Sequence, residues 1–281
     1  MSETVSREVP GILLVDSITR LGPPHVGTVV VSGSHGGVYA GYCAARGRVR
    51  AVIQHDAGIG LDEAGIASLP FLDAIGIAAA VADSASCRIA QAADMWGRGI
   101  VSRVNAAAAA LGCAPGETVP ACAAKLANAI PSSAAVPDID EARFRIAADP
   151  GEPEVWGIDS AALSRPEDAR RILVTGSHGG LVGDRPDTRT PDVWAVTYND
   201  AGGCRDASGF GRLPDFDRRG IAAATVAHDT ARIGDARSHL ATGIVSRVNE
   251  TARRRGGVAG QSMASFVSAM VRAWKIDGGG A

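Results

Sequence analysis

One unusual stretch is written twice in this chain. Val31–Gly37 reads VSGSHGG, Val174–Gly180 reads VTGSHGG, and the residues around them fall into register. Asp56-Ala57-Gly58 meets Asp200-Ala201-Gly202, Gly76–Ala80 meets Gly220–Ala224, Arg88-Ile89 meets Arg232-Ile233, and Asp16-Ser17 meets Asp159-Ser160. Gly99–Asn105, GIVSRVN, returns letter for letter as Gly243–Asn249. Self-similarity at a fixed offset is the signature of a duplicated structural unit. The expectation is a first repeat over 1–130, a linker over 131–152 rich in Pro, Ala and acidic residues, and a second repeat over 153–281. Two copies of one unit pack most simply about a pseudo-two-fold axis, as a homodimer would, and the chain could form a homo-oligomer in addition.

Within each repeat, short β-branched runs alternate with helical stretches. In the first, Ile12–Val15, Thr28–Val31, Ala51–Ile53 and Ile77–Val81 read as strands, and Tyr39–Ala45, Ile66–Ile75 and Glu117–Ala129 as helices. Residues 1–9 read as a polar tail. GIVSRVNAAAAALG, from Gly99 to Gly112, carries apolar residues at Ile100, Val101, Val104, Ala108 and Leu111, which predicts a long helix. Its identity in the two halves makes it a candidate for the seam between them; the alternative is that Ser102, Asn105, Ser246 and Asn249 serve helix ends and packing only. The second repeat ends in a helix over Met263–Trp274. The fold class is therefore α/β: two tandem homologous modules with largely parallel sheets.

Bulk properties narrow the partners. A net charge of −2 and a pI near 6.3 give no basic face for nucleic acid or an anionic membrane, and no apolar run reaches membrane-spanning length without Gly or charge. Arg253-Arg254-Arg255 closes a helix, where positive charge suits the dipole. Five cysteines, odd in number and unmatched between repeats, fit free thiols in a reducing cytoplasm, and the N-terminus has no signal-peptide pattern.

Ligands of open parallel sheets bind beyond the carboxyl ends of the strands. The polar residues that both repeats keep fall at those ends: Asp16-Ser17, Ser34-His35 and Asp56, with Asp159-Ser160, Ser177-His178 and Asp200. In the turn, Gly36, Gly37, Gly179 and Gly180 permit close backbone approach, so their N–H groups are candidates for binding a carboxylate or an oxyanion. His35 and His178 are candidate acid/base groups or ligands of a divalent metal such as Zn, Mn or Fe. Asp56 and Asp200 either orient a histidine or cap a turn. Arg88 and Arg232 either clamp a substrate carboxylate or pair with an aspartate of the chain.

The halves also differ. After the second GSHGG comes LVGDRPDTRTPD, a loop by its prolines and a candidate lid. His55 is matched by Asn199, and Ser84 by His228, which suggests two sites that have diverged. GxxxxGK[ST], GxGxxG, GxSxG and HExxH are all absent. The reading that follows is a hydrolase for a small amide-containing or carboxylate molecule. Its site would be His35, His178, Asp56, Asp200, Ser34 and Ser177, with Gly36, Gly37, Gly179, Gly180, Arg88, Arg232, Asp16 and Ser17 binding substrate. A metal-free lyase or isomerase, and a non-catalytic small-anion binder, are the alternatives.

Overall fold

The computed structural model describes residues 6–9, 11–22 and 25–277. It is a mixed α/β structure with two sheets. The first runs β1 (Ser6–Val9), β2 (Ile12–Val15), β3 (Val29–His35), β4 (Ala51–His55), β5 (Ala78–Ala82) and β6 (Val101–Val104), in that spatial order. The second runs β7 (Arg143–Ala147), β8 (Val155–Ile158), β9 (Ile172–His178), β10 (Ala195–Asn199), β11 (Ala222–Val226) and β12 (Val245–Val248), again in chain order. In each sheet the four inner strands are parallel and the two edge strands antiparallel.

Inner strands buried on both faces explain the continuous Val, Ile and Ala runs. Successive side chains point to opposite faces. Leu14, Val31, Ile53 and Ala80 pack under α3 (Ala92–Arg98) and α5 (Val119–Leu126), whereas Leu13, Val30, Val52 and Ala79 pack under α1 (Val38–Arg46) and α2 (Ser68–Ala74). The second sheet builds the same two layers, with Phe266 and Met270 of α9 (Met263–Ile276) on one face and Phe216 of α6 (Arg212–Arg218) on the other.

Three expectations change. GIVSRVN is not a long helix and does not form the seam. Val101–Val104 is the edge strand β6, and Asn105 caps α4 (Ala106–Ala110) by accepting the Ala108 N–H at 2.9 Å. The helical count had merged a β-branched strand with the polyalanine turn behind its cap. Asn105 also accepts the Ala79 N–H at 3.0 Å and donates to the Ile77 carbonyl at 2.8 Å, and Asn249 repeats all three bonds with Ala252, Ala223 and Ile221. These buried amides fasten a strand to a helix start. Residues 6–9 of the expected tail form β1, and residues 143–147 of the expected linker form β7.

Where the two halves meet, the backbones of Gly58 and Gly202 touch. A Cβ on Gly58 would lie 2.9 Å from the Gly202 Cα, and one on Gly202 would lie 2.9 Å from the Gly58 Cα. Ala57, Ala64, Ile89, Ala201 and Ile233 form a small apolar cluster there. The Leu61 N–H donates to the His228 carbonyl, and the Arg205 N–H to the Ser84 carbonyl, both at 2.8 Å. Arg88 pairs with Asp206 at 2.9 Å, and Arg232 with Asp62 at 3.0 Å. Among the described residues no helix is long and apolar enough to cross a membrane, and all five cysteines are free thiols.

Candidate functional site

Consecutive parallel strands laid side by side leave no point inside a sheet where the order reverses, so neither sheet opens a crevice of its own. The crevice lies between them. A cavity of about 370 Å³ is lined by Ser34 and His35 at the carboxyl end of β3, by Ser177 and His178 at the end of β9, and by Ser17 and Ser160 beyond β2 and β8. The two imidazole rings meet edge to face with centroids 6.2 Å apart.

The turn holds each ring rigidly. A Cβ on Gly36 would lie 2.7 Å from the Gly65 carbonyl oxygen, and one on Gly179 would lie 2.3 Å from that of Gly209, so only glycine fits at either position. The Gly36 N–H donates to the His55 carbonyl at 2.7 Å and the Gly179 N–H to the Asn199 carbonyl at 2.8 Å. The next amide closes onto the histidine: Gly37 N–H to His35 Nδ1 at 3.1 Å, and Gly180 N–H to His178 Nδ1 at 3.2 Å. These four amides are therefore spent inside the turn and do not form the anion cradle anticipated for them.

Those last two bonds fix the tautomer. An Nδ1 that accepts a hydrogen bond carries no hydrogen, so in the neutral ring Nε2 is the N–H donor. Burial, with His55 close by, pushes the His35 pKa down to about 4. Burial, with Arg212 and His35 close by, pushes His178 well below its ordinary range. Both rings are neutral donors at pH 7. Such a donor set does not fit a divalent metal, which needs a bare ring nitrogen. Among the described residues, moreover, no three His, Cys, Asp or Glu side chains are gathered for one. The expected Zn, Mn or Fe site at His35 and His178 therefore has no geometric support.

The serines are donors as well. Ser34 Oγ accepts the Ile18 N–H at 3.0 Å and Ser177 Oγ the Ala161 N–H at 2.8 Å, which leaves each hydroxyl hydrogen free to turn elsewhere. The aspartates after β2 and β8 act locally. Asp16 accepts the Ala92 N–H at 2.9 Å, and Asp159 accepts the Ala236 and Ala142 N–H groups at 3.0 and 2.8 Å. Asp159 reaches the cavity wall and Asp16 does not.

Asp56 and Asp200 lie outside the cavity and hold the turns beside the seam, each within its own half. Asp56 accepts the Gly58 and Ser84 N–H groups at 3.0 and 2.9 Å and the Ser102 hydroxyl at 2.8 Å. Asp200 accepts the Gly202 and His228 N–H groups, both at 3.0 Å, and faces His228 Nδ1 at 3.2 Å. This is the turn-capping role. Arg88 is outside the cavity too, and Arg232 lines it but is paired with both Asp62 and Asp235, so neither guanidinium is a free clamp.

The exchange of His55 for Asn199 is conservative in hydrogen bonds. His55 Nδ1 accepts the Ala57 N–H at 3.0 Å while Nε2 faces the Cys87 carbonyl at 3.3 Å. Asn199 Oδ1 accepts the Ala201 N–H at 2.9 Å while Nδ2 donates to the Ala231 carbonyl at 3.2 Å. This pair therefore gives no sign of a divergent catalytic site. His55→Asn should change stability by about 1 kcal/mol or less, whereas His55→Ala, which strands buried partners, should cost about 2–4 kcal/mol. Urea unfolding of both variants decides it, and equal costs would contradict the shared role.

Sequence reasoning missed the groups that make the cavity asymmetric. Glu141, from the segment read as linker, lines it together with Tyr39 of α1 and Ser160. Burial, reinforced by Asp159, lifts its pKa to about 7. Arg212, buried at the base of α6, donates to the Gly180 carbonyl at 3.1 Å and pairs with Asp187. Asp187 in turn accepts the Arg189 and Thr190 N–H groups at 2.8 and 3.1 Å, so the 181–192 loop is pinned to the body of the second half. That loop brings Val182 and Arg189 to the cavity. The signals were present in the sequence: a Glu closing the acidic run Asp138–Glu141, and an Asp-x-Arg-Thr turn between prolines. Neither has a partner in the other repeat, and the repeat was the guide.

Comparison with family models, with curated proteins and with solved structures gave no match, so the reading of this site rests on its own geometry.

Proposed function

We propose that this chain is an enzyme acting on a small carboxylate or amide-containing molecule by metal-free proton transfer, in a single site shared by two duplicated units. The contacts at the seam support the duplicated packing. Leu61 meets His228 as Arg205 meets Ser84, Arg88 meets Asp206 as Arg232 meets Asp62, and Gly58 meets Gly202. Residue i touching j while the counterpart of j touches the counterpart of i is the pattern of a two-fold interface. On this reading 1–130 and 153–281 are one unit twice, and the cavity exists only when both are present.

The observation that carries the functional reading is the pair of neutral imidazoles lining one cavity, each with Nδ1 tied to its own turn so that Nε2 carries the N–H. Fixed neutral donors aimed at one place stabilise charge that develops on a carbonyl oxygen, and they cost no reorganisation during reaction. A ring whose Nε2 already carries hydrogen cannot take a proton from Ser34 or Ser177, so neither serine has a histidine base to activate it. Of the hydrolase, lyase and isomerase readings, the geometry therefore favours the lyase or isomerase.

The test uses His35→Asn and His178→Asn. Asparagine at a strand end can accept the same turn amide, as Asn199 does. Each variant should keep its melting temperature within a few degrees while turnover of small oxo-carboxylates and amides falls about 10²–10³-fold. Full activity in both variants would end the proposal.

A further inference from the structure

Among the charged side chains lining the cavity, Glu141, Arg189 and the exposed Asp140 remain outside any ion pair among the described residues. Asp62 and Asp235 are paired with Arg232, Asp159 is spent on two backbone amides, and Arg212 is paired with Asp187. Arg189 makes no ion pair among the described residues through its guanidinium, although its own backbone N–H is held by Asp187. Glu141 lies near the Tyr39 and Ser160 side chains and makes no ion pair among the described residues. We propose that Glu141 is the catalytic base and acid of this site, and that Arg189 anchors the carboxylate of a small oxo-carboxylate substrate whose carbonyl oxygen meets the Nε2–H groups of His35 and His178. This deepens the proton-transfer reading and rests on it.

The step balances without any co-reactant. A Glu141 carboxylate oxygen takes the proton from the carbon next to the carbonyl. The C–H electron pair becomes the new C=C bond, and the carbonyl π pair moves onto oxygen, where the two Nε2–H donors meet it. The protonated Glu141 then returns its proton to the same or the neighbouring carbon. Two features suit Glu141 to this task. It reaches the cavity wall from the connector, beside Ile139 and Asp140, whereas the histidines reach it from the ends of β3 and β9, so base and donors come from separate segments of the chain. It also titrates near the working pH, where a proton can be taken and returned with least loss. The groups facing it are Asp159 and Ser160 after β8, Tyr39 and Cys43 of α1, and its neighbour Asp140. Asp159 is acidic like Glu141, and no arginine or lysine is among them.

The experiment follows deuterium exchange in D2O by proton NMR. It uses a panel of oxo-carboxylates of roughly three to six carbons, a span sized to a small-ligand pocket, with binding of each measured by calorimetry. Wild-type protein should exchange at least one panel member at a rate that rises with pH through about 7, where Glu141 loses its proton. Glu141→Gln should lose about 10²–10⁴-fold in exchange rate while keeping affinity within about twofold, and the pH step near 7 should vanish with it. Arg189→Gln should weaken binding at least tenfold. Exchange that persists in Glu141→Gln would overturn the role of Glu141. Unchanged affinity in Arg189→Gln would overturn the anchor. Binding without exchange in the wild type would sink the enzymatic reading itself, and no binding by any panel member would overturn the substrate class.

Discussion

Arg212→Met should destabilise the protein by about 3–5 kcal/mol, because it leaves the Asp187 carboxylate buried without its cation. Arg212 is 7% exposed and holds three things at once. Its Nε–H caps the Gly180 carbonyl at 3.1 Å, its Nη1 meets Asp187, and its guanidinium lies 4.8 Å over the Tyr198 ring. Methionine restores much of the volume and none of the polar contacts. Two consequences separate this variant from a general loss of packing. The 181–192 loop should loosen, visible as faster amide exchange at Arg189 and Thr190. The His178 pKa should rise, since burial and then the Arg212 charge are the leading reasons that it is low. A His178 resonance that titrates as in the wild type would show that Arg212 does not set the electrostatics of the site.

Asp168→Ala should cost a similar 3–5 kcal/mol, now through an arginine left unpaired. The Asp168 carboxylate, fully buried, takes a bidentate contact from Arg143 at 2.6 and 3.1 Å, one from Arg171 at 2.9 Å and the Arg165 N–H at 2.8 Å. Burial alone would push its pKa up. The Arg143, Arg165 and Arg171 hydrogen bonds outweigh burial and hold it below the usual 3.8. A carboxyl with a depressed folded pKa stabilises fully above its unfolded value, and that stability is lost as pH falls through the folded one. The wild type should therefore lose stability as pH drops from just above 3.8, and this part of the loss should be missing in Asp168→Ala. Denaturant midpoints at pH 7 and at successively lower pH check both claims, and parallel curves for the two proteins would refute the linkage. Arg143 opens β7, two residues after Glu141, so the same variant should also disturb the cavity wall.

How far could the residues alone have led? The parallel strands were legible because buried β-branched runs need no partner information to be recognised. The strand-end Ser-His pairs were legible because the chain writes them twice. GIVSRVN misled because a four-residue edge strand and a short capped helix, read end to end, imitate one helical period. The capping asparagine was the local evidence against it.

The sequence by itself determined the α/β class, the inner strands and the polar letters that follow their apolar runs, whereas β3 and β4 continue beyond those runs to His35 and His55. It could not determine which atoms those letters present. That His35 and His178 offer Nε2–H rather than a bare nitrogen depends on backbone amides two residues on, fixed only when the turn closes against Gly65 and Gly209. Nor could local pattern show that Asp56 and Asp200 are spent on turns beside the seam while Glu141 stands in the cavity. Proximity between residues far apart in the chain is set by how two finished sheets pack, and burial by that packing is also what shifts the titration of His35, His178 and Glu141.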